Sequence, residues 1–221
     1  MTIDEELLKK VPLFSDLTAQ EIKLVVASGS RRKFQAKNLI FQEGDPGDHL
    51  IIILTGKVKI LLSGKDGQDF ILSIFGPGEF FGEMAILESA PRSASAFTVQ
   101  PCEFFLLGQN GFTTLLQKNP RIAIKVLKNL SQRLRKTTEQ VRSLVMFDIY
   151  GRVGRCLLNL AEKQGANSNS QFWIANRPPF QELAQMIGCS RETVSRTFKL
   201  LKENGCLTVT RNYILLNRGW D

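Results

Sequence analysis

A single histidine, His49, stands in the whole chain, and its four cysteines, Cys102, Cys156, Cys189 and Cys206, lie far apart. One imidazole cannot build a histidine metal cage and leaves little scope for acid/base catalysis. No C-x-x-C spacing or short cluster marks a zinc or iron–sulfur site, so the thiols read as buried and free, and no metal is expected. His49 follows Asp45-Pro46-Gly47-Asp48 and reads as a solvated loop residue. Long apolar runs are missing too. Nothing approaches the roughly 18 to 20 residues of a membrane span, and the acidic start Asp4-Glu5-Glu6 lacks the basic-then-apolar layout of a secretion signal. The cytoplasm, without membrane attachment, is the expected location. With no visible pairing of base and nucleophile, an enzyme is not expected.

What is present suits a globular protein of one large or two modest domains: 221 residues, 43% of them hydrophobic. The net charge of +8 is unevenly placed. Residues 1–120 carry 12 basic and 14 acidic side chains, residues 121–150 carry 7 and 2, and residues 151–221 carry 10 and 5. A basic half joined to a near-neutral half suits a polyanion-binding module attached to a separate sensor.

Three textures follow one another. Ser15 can cap a first helix from about Leu17 and Thr18, with Ile22, Leu24, Val25 and Val26 as its apolar residues. From Arg31 the chain reads as short strands, among them 39–41, 50–54, 58–62, 70–75 and 103–107, with turns at Gly44, Gly47, Gly56, Gly64, Gly67, Gly76, Gly78 and Gly82. An antiparallel β roll or barrel of about 75 residues is expected. Beyond Pro120, Leu127, Leu130, Leu134, Thr137, Val141 and Leu144 recur at alternating steps of three and four. That is a heptad seam; one face of an isolated helix packing on its own domain would also explain it, but the polar belt of Lys128, Arg133, Arg135, Lys136 and Arg142 leaves the stripe narrow, as a coiled-coil partner requires. A further helix over 153–164 ends in the polar stretch 165–170, which reads as a surface loop.

Residues 81–96 carry the most chemistry of the first half. Gly82 permits close backbone approach, Glu83 offers two acceptor oxygens, and Arg92 offers a charged fork suited to phosphate. A buried Glu–Arg pair joining a short helix to a strand is the purely structural alternative. Nearer the C-terminus, residues 180–201 read as two helices joined at Gly188. Ser190 can cap the second, Val194, Phe198 and Leu201 form its inner stripe, and Gly205 can end it. Its other face shows Arg191, Glu192, Ser195, Arg196 and Lys199. Arginine can pair with guanine O6 and N7, and glutamate can accept from cytosine N4.

The run Gly82-Glu83-Met84-Ala85-Ile86-Leu87 followed by Pro91-Arg92-Ser93-Ala94 resembles the phosphate-binding cassette of cyclic-nucleotide-binding domains. Gly188-Cys189-Ser190-Arg191-Glu192-Thr193-Val194-Ser195-Arg196 resembles the recognition helix of the cyclic-AMP receptor protein family, and the resemblance runs in order through the whole chain. It implies an α+β fold with an N-terminal cyclic-nucleotide-binding β roll (1–120), a dimerisation helix and hinge (121–150) and a C-terminal winged helix-turn-helix (151–221).

It further implies that Gly82, Glu83, Met84, Arg92, Ser93 and Ala94 hold the ligand, with Glu83 on the ribose hydroxyl and Arg92 on the cyclic phosphate. Thr137 and Thr138 would contact the adenine, one from each subunit. Gln181, Ser190, Arg191, Glu192, Thr193, Ser195, Arg196 and Lys199 would meet DNA, and residues 206–216, turning near Arg211 and Asn212, would form the wing. The family departs from this chain at Pro178-Pro179-Phe180, where polar residues are usual. The implied function is a homodimeric transcriptional regulator with cyclic AMP as allosteric effector. Its implied targets are inverted-repeat TGTGA-like half-sites in double-stranded DNA, with RNA polymerase as a further partner. Cyclic di-GMP stays open as effector, and so does DNA binding without ligand.

Overall fold

The computed structural model describes residues 3–64, 68–163, 167–168, 171–210 and 212–217. The chain forms two compact units, residues 1–62 with 71–135, and residues 63–70 with 136–221.

The first unit opens with α1 (Ile3–Lys9), a 3-10 turn (Pro12–Phe14) and α2 (Ala19–Ala27). Thr18, not Ser15, caps α2. Its hydroxyl accepts from the Glu21 N–H at 3.3 Å while the Glu21 carboxylate accepts from the Thr18 N–H at 2.8 Å. A glutamate three residues on completes a reciprocal capping box for Thr18. Ser15 closes the 3-10 turn instead, donating to the Pro12 carbonyl. Ile22 and Val25 are buried, whereas Leu24 is 64% exposed and lies off the apolar face.

Strands β1 (Gly29–Phe34), β2 (Leu39–Phe41), β3 (His49–Thr55), β4 (Val58–Ser63), β5 (Asp69–Phe75) and β6 (Phe80–Phe81) come next. Helix α3 (Glu83–Glu88) and strands β7 (Ser95–Thr98) and β8 (Cys102–Gly108) follow. They form two four-stranded sheets, β1-β8-β3-β6 and β2-β7-β4-β5. The expected antiparallel roll is observed, with β1, β6 and β7 added to the strands visible in the sequence. Strand β3 shows why its apolar run is unbroken. Ile51 and Ile53 pack with Val58, Phe75, Phe81 and Phe104, while Leu50 and Ile52 pack with residues of α1 and α2. Both faces are covered, so no polar alternation is required.

Helices α4 (Gln109–Lys118) and α5 (Pro120–Met146) close the unit. Helix α4, with Gly111 and two threonines in its first turns, carries little helical signal and was not expected. Pro120 suits the first position of α5, where its missing N–H costs nothing. Ile122 and Val126 are buried in the first unit, and Leu130 packs half-buried beside them. Leu127 (64%) and Leu134 (69%) face outward instead. Leu130 therefore belongs partly to its own core and only partly to the heptad seam.

The second unit contains α6 (Ile149–Lys163), β9 (Asn167–Ser168), β10 (Gln171–Ile174), α7 (Phe180–Ile187), α8 (Arg191–Glu203), β11 (Leu207–Val209) and β12 (Ile214–Leu216). The strands form an antiparallel sheet ordered β11-β12-β10-β9. Helix α6 starts four residues before Val153, and Val153, Leu157 and Ala161 share a core with Ile174, Leu183, Val194, Phe198 and Ile214. Within the stretch read as a loop, Asn167 and Ser168 pair with β10. Residues 165, 166, 169 and 170, together with Gly67 and Arg211, lie outside the described residues. Among the described residues no helix is long and apolar enough to cross a membrane.

Candidate functional site

The cassette is built around Arg92. Gly82, at φ +84°, precedes α3 in the left-handed region that glycine tolerates. A Cβ there would lie 2.5 Å from Arg92 Nη1, and a Cβ on Gly47 would lie 2.8 Å from Arg92 Nε. Two glycines thus form the slot that seats the guanidinium. Within it Arg92 is 6% exposed, donates from Nη1 to the Gly82 carbonyl (2.8 Å) and from Nη2 to the His49 carbonyl (3.1 Å), and stacks over Phe41. Burial pushes its pKa down, and the carboxylates of Asp48, Glu83 and Asp45 oppose that shift. Its Nε is buried and has no protein partner.

Glu83, 2% exposed, begins α3. Its Oε1 accepts from Arg133 Nη1 at 2.9 Å, while its Oε2 is buried with no partner. Arg133 also donates to the Phe80 carbonyl and lies over the Phe75 and Phe80 rings. Glu83 therefore pairs with Arg133 rather than with Arg92, so the structural alternative of a Glu83–Arg92 pair does not hold. Sequence reasoning placed Arg133 in the polar belt of α5 and missed this contact. The signal was there: Val126, Leu130 and Arg133 stand at i, i+4 and i+7, one inward face of the helix.

Met84 is exposed at 41% and accepts a 3.6 Å contact from the hydroxyl of the exposed Ser93, while Ala94 is buried. Thr137 and Thr138 are exposed on α5 and belong to the second unit. His49 is more than a solvated loop residue. It opens β3, its carbonyl holds Arg92, and its Nδ1 lies 2.5 Å from Asp48, whose carboxyl this hydrogen bond holds below the usual range. All four cysteines are free, but only Cys102 is fully buried. Burial pushes the Cys102 and Cys189 thiols up, away from reactivity. Among the described residues no cluster of His, Cys, Asp and Glu could hold a metal ion.

In the second unit, α7 ends at Gly188 in the left-handed region, φ +74°, which turns the chain into α8. The Ser190 hydroxyl accepts from the Thr193 N–H at 3.1 Å and caps α8. Val194 and Phe198 are buried beneath it, and Leu201 packs partly against them. Gln181, Arg191, Glu192, Ser195, Arg196 and Lys199 are exposed, whereas Ser190 and Thr193 are half-buried by their mutual capping contact. The Glu192 carboxyl is held below its usual range, first by its own backbone N–H and then by the Ser190 hydroxyl. An ionised acceptor flanked by two guanidiniums in the first turns of an open helix face can read base edges.

Residues 31–119 match the cyclic nucleotide-binding domain family, and residues 151–219 match the Crp-like helix-turn-helix domain. A CRP-like cAMP-activated global transcriptional regulator of Mycobacterium tuberculosis is 30% identical over 96% of this chain and 95% of its own length. The cAMP-activated global transcriptional regulator CRP of Pasteurella multocida is 35% identical over 77% of this chain and 82% of its own. Among solved structures, the c-di-GMP responsive global regulator CLP of Xanthomonas campestris superposes with a TM-score of 0.79 at 31% identity, covering 91% of this chain and all of that one. Two matched domains and relatives aligned across nearly the full length agree with the cassette and the capped recognition helix: the chain belongs to the cyclic-AMP receptor protein family of ligand-regulated, DNA-binding transcription factors.

Proposed function

We propose that cyclic AMP is the effector, bound without turnover by Glu83, Arg92 and Ser93, with Gly82, Met84 and Ala94 shaping the cassette and the Thr137 and Thr138 hydroxyls meeting the base. The observation that carries this reading is the pair of buried, unpartnered atoms in one cassette, the acceptor Glu83 Oε2 and the donor Arg92 Nε. Buried polar groups without partners are costly, and a ribose hydroxyl with a cyclic phosphate supplies the missing donor and acceptor. In this reading the sensor is residues 1–120, the dimerisation helix and hinge 121–150, and the DNA reader 151–221. Ligand favours a cytoplasmic homodimer whose recognition helices stand about 34 Å apart, one turn of DNA. Its targets are inverted-repeat TGTGA-like half-sites, where Arg191, Glu192 and Arg196 read bases and Gln181, Ser190, Thr193, Ser195 and Lys199 contact the backbone or nearby edges. RNA polymerase is the further partner.

The likeness to a c-di-GMP responsive regulator favours a second reading, with cyclic di-GMP as effector. The cassette argues against it. A bis-phosphate calls for two available cations, and Arg133, the α5 cation at the cassette, is engaged by Glu83 and the Phe80 carbonyl. Calorimetry of the full chain against cyclic AMP, cyclic GMP and cyclic di-GMP decides. Saturable binding of cyclic AMP at one site per subunit, tighter than the other two, is expected. Preference for cyclic di-GMP would replace the first reading by the second, and operator affinity indifferent to every nucleotide would indicate constitutive DNA binding.

A further inference from the structure

We propose that Arg177 is a positioning residue that fixes the turn of the wing relative to the recognition helix. The wing strands β11 and β12 are joined through residues 210–213, where the Thr210 N–H donates to the Tyr213 carbonyl at 2.9 Å. Thr210 Oγ1 spends itself within the same turn, donating to the Tyr213 carbonyl and accepting from the Asn212 and Tyr213 N–H groups. These bonds tie Thr210, Asn212 and Tyr213 to one another and not to the helices. Arg177 supplies the link. Its backbone N–H donates to the Asn212 carbonyl at 3.3 Å, and its Nη1 donates to the Thr210 carbonyl at 3.3 Å. The same guanidinium lies 4.6 Å from the centroid of the Phe180 ring, at the start of α7. Phe180 in turn packs on Phe198 at 5.0 Å, and Phe198 is the buried inner face of α8. Arg177 therefore joins the wing turn to Phe180, and Phe180 carries the link to the recognition helix.

The residues between Arg177 and α7 are Pro178 and Pro179. Two fixed φ angles make a stiff strut, so movement of Arg177 is carried to the helix start and not absorbed on the way. The Phe180 ring gives the guanidinium a face to stack on. Arginine suits this place and lysine does not, because a planar fork stacks and donates at once while an ammonium is a point donor. The turn also carries its own reporter. Trp173 on β10 meets Tyr213 edge-on at 6.4 Å.

The inference rests on the second unit being the DNA reader, so the test has one arm that needs no DNA. In a Trp220→Phe background, which leaves Trp173 as the single tryptophan, Arg177→Ala is expected to lower Trp173 fluorescence anisotropy in the free protein. On an operator extending past both half-sites, its affinity is expected to fall roughly 5- to 20-fold with base preference unchanged. Arg177→Lys, which keeps the charge, should show the lowered anisotropy of the alanine variant. Full recovery of anisotropy and affinity by lysine would mean a simple phosphate contact and would overturn the proposal, as would unchanged anisotropy in Arg177→Ala. Should the alanine variant fail to fold, the lysine variant alone decides by the same anisotropy reading. Failure of the wild-type chain to bind DNA would strike the DNA-binding reading and leave the Trp173 result standing on its own.

Discussion

Arg92 commits two of its donors to the carbonyls of Gly82 and His49, and its Nε is buried with no protein partner. Arg92→Ala removes the cation expected to face a cyclic phosphate. A charge-assisted hydrogen bond is worth roughly 1.5 to 3 kcal/mol, so cyclic AMP affinity should fall about 10- to 150-fold by calorimetry. Unchanged affinity in a folded variant would remove Arg92 from the site. Arg133 has a different burden. Glu83 is almost wholly buried while the Arg133 side chain is 21% exposed, so Arg133→Ala strands a carboxylate with only partial access to water. A loss of about 2 to 3 kcal/mol in unfolding free energy is expected, below the range for fully buried pairs, and denaturant titration measures it. On the DNA side, Glu192→Ala deletes the acceptor proposed for cytosine N4 together with a negative charge. It should relax preference at one base position by roughly 1 to 3 kcal/mol while leaving non-specific binding intact or stronger. Binding to a panel of single-base-substituted half-sites checks this, and an equal loss on every site would exclude direct readout.

At the scale of elements, α5 serves two masters. Its Ile122, Val126, Leu130 and Arg133 face is built into the first unit, and Leu127 and Leu134 lie off that face, 64% and 69% exposed. In the proposed homodimer a second copy would cover this apolar stripe. Leu127→Asp with Leu134→Asp should yield monomers in sedimentation while the sensor keeps its melting temperature. Leu130→Asp is the wrong probe for that question, because it charges the edge of the core and destabilises the unit itself. A dimer of undiminished stability in the double variant would move the interface off this seam. Helix α8 depends on its cap in a similar local way, and its Ser190 position follows from a serine set directly after Gly188 and Cys189.

For the molecule as a whole, ligand regulation implies reciprocity. If saturating cyclic AMP raises operator affinity by some factor, operator DNA must raise cyclic AMP affinity by the same factor, since both readings measure one coupling free energy. Titrating each ligand in the presence and absence of the other checks it. A factor of one in both titrations would show that the two sites are not coupled. Much of this organisation could be read before any coordinates. The glycine turns, the cassette from Gly82 to Ala94 and the helix pair around Gly188 are encoded within short stretches, where φ preference, capping and period act on neighbours. Local competition already blurred some of it, as with Ser15 and Thr18, where only Glu21 three residues on decides the cap. What the sequence alone determined is the order of a β roll, a long helix and a winged helix-turn-helix, and the residue types each site offers. Only the tertiary structure decided which groups meet: Arg133 with Glu83 across 50 residues, Arg92 with the His49 carbonyl across 43, and Arg177 with the Thr210 carbonyl across 33. The physical reason is that such contacts are chosen by the packing of whole elements: the spacing of Val126, Leu130 and Arg133 marks an inward face, but not the residue that face meets.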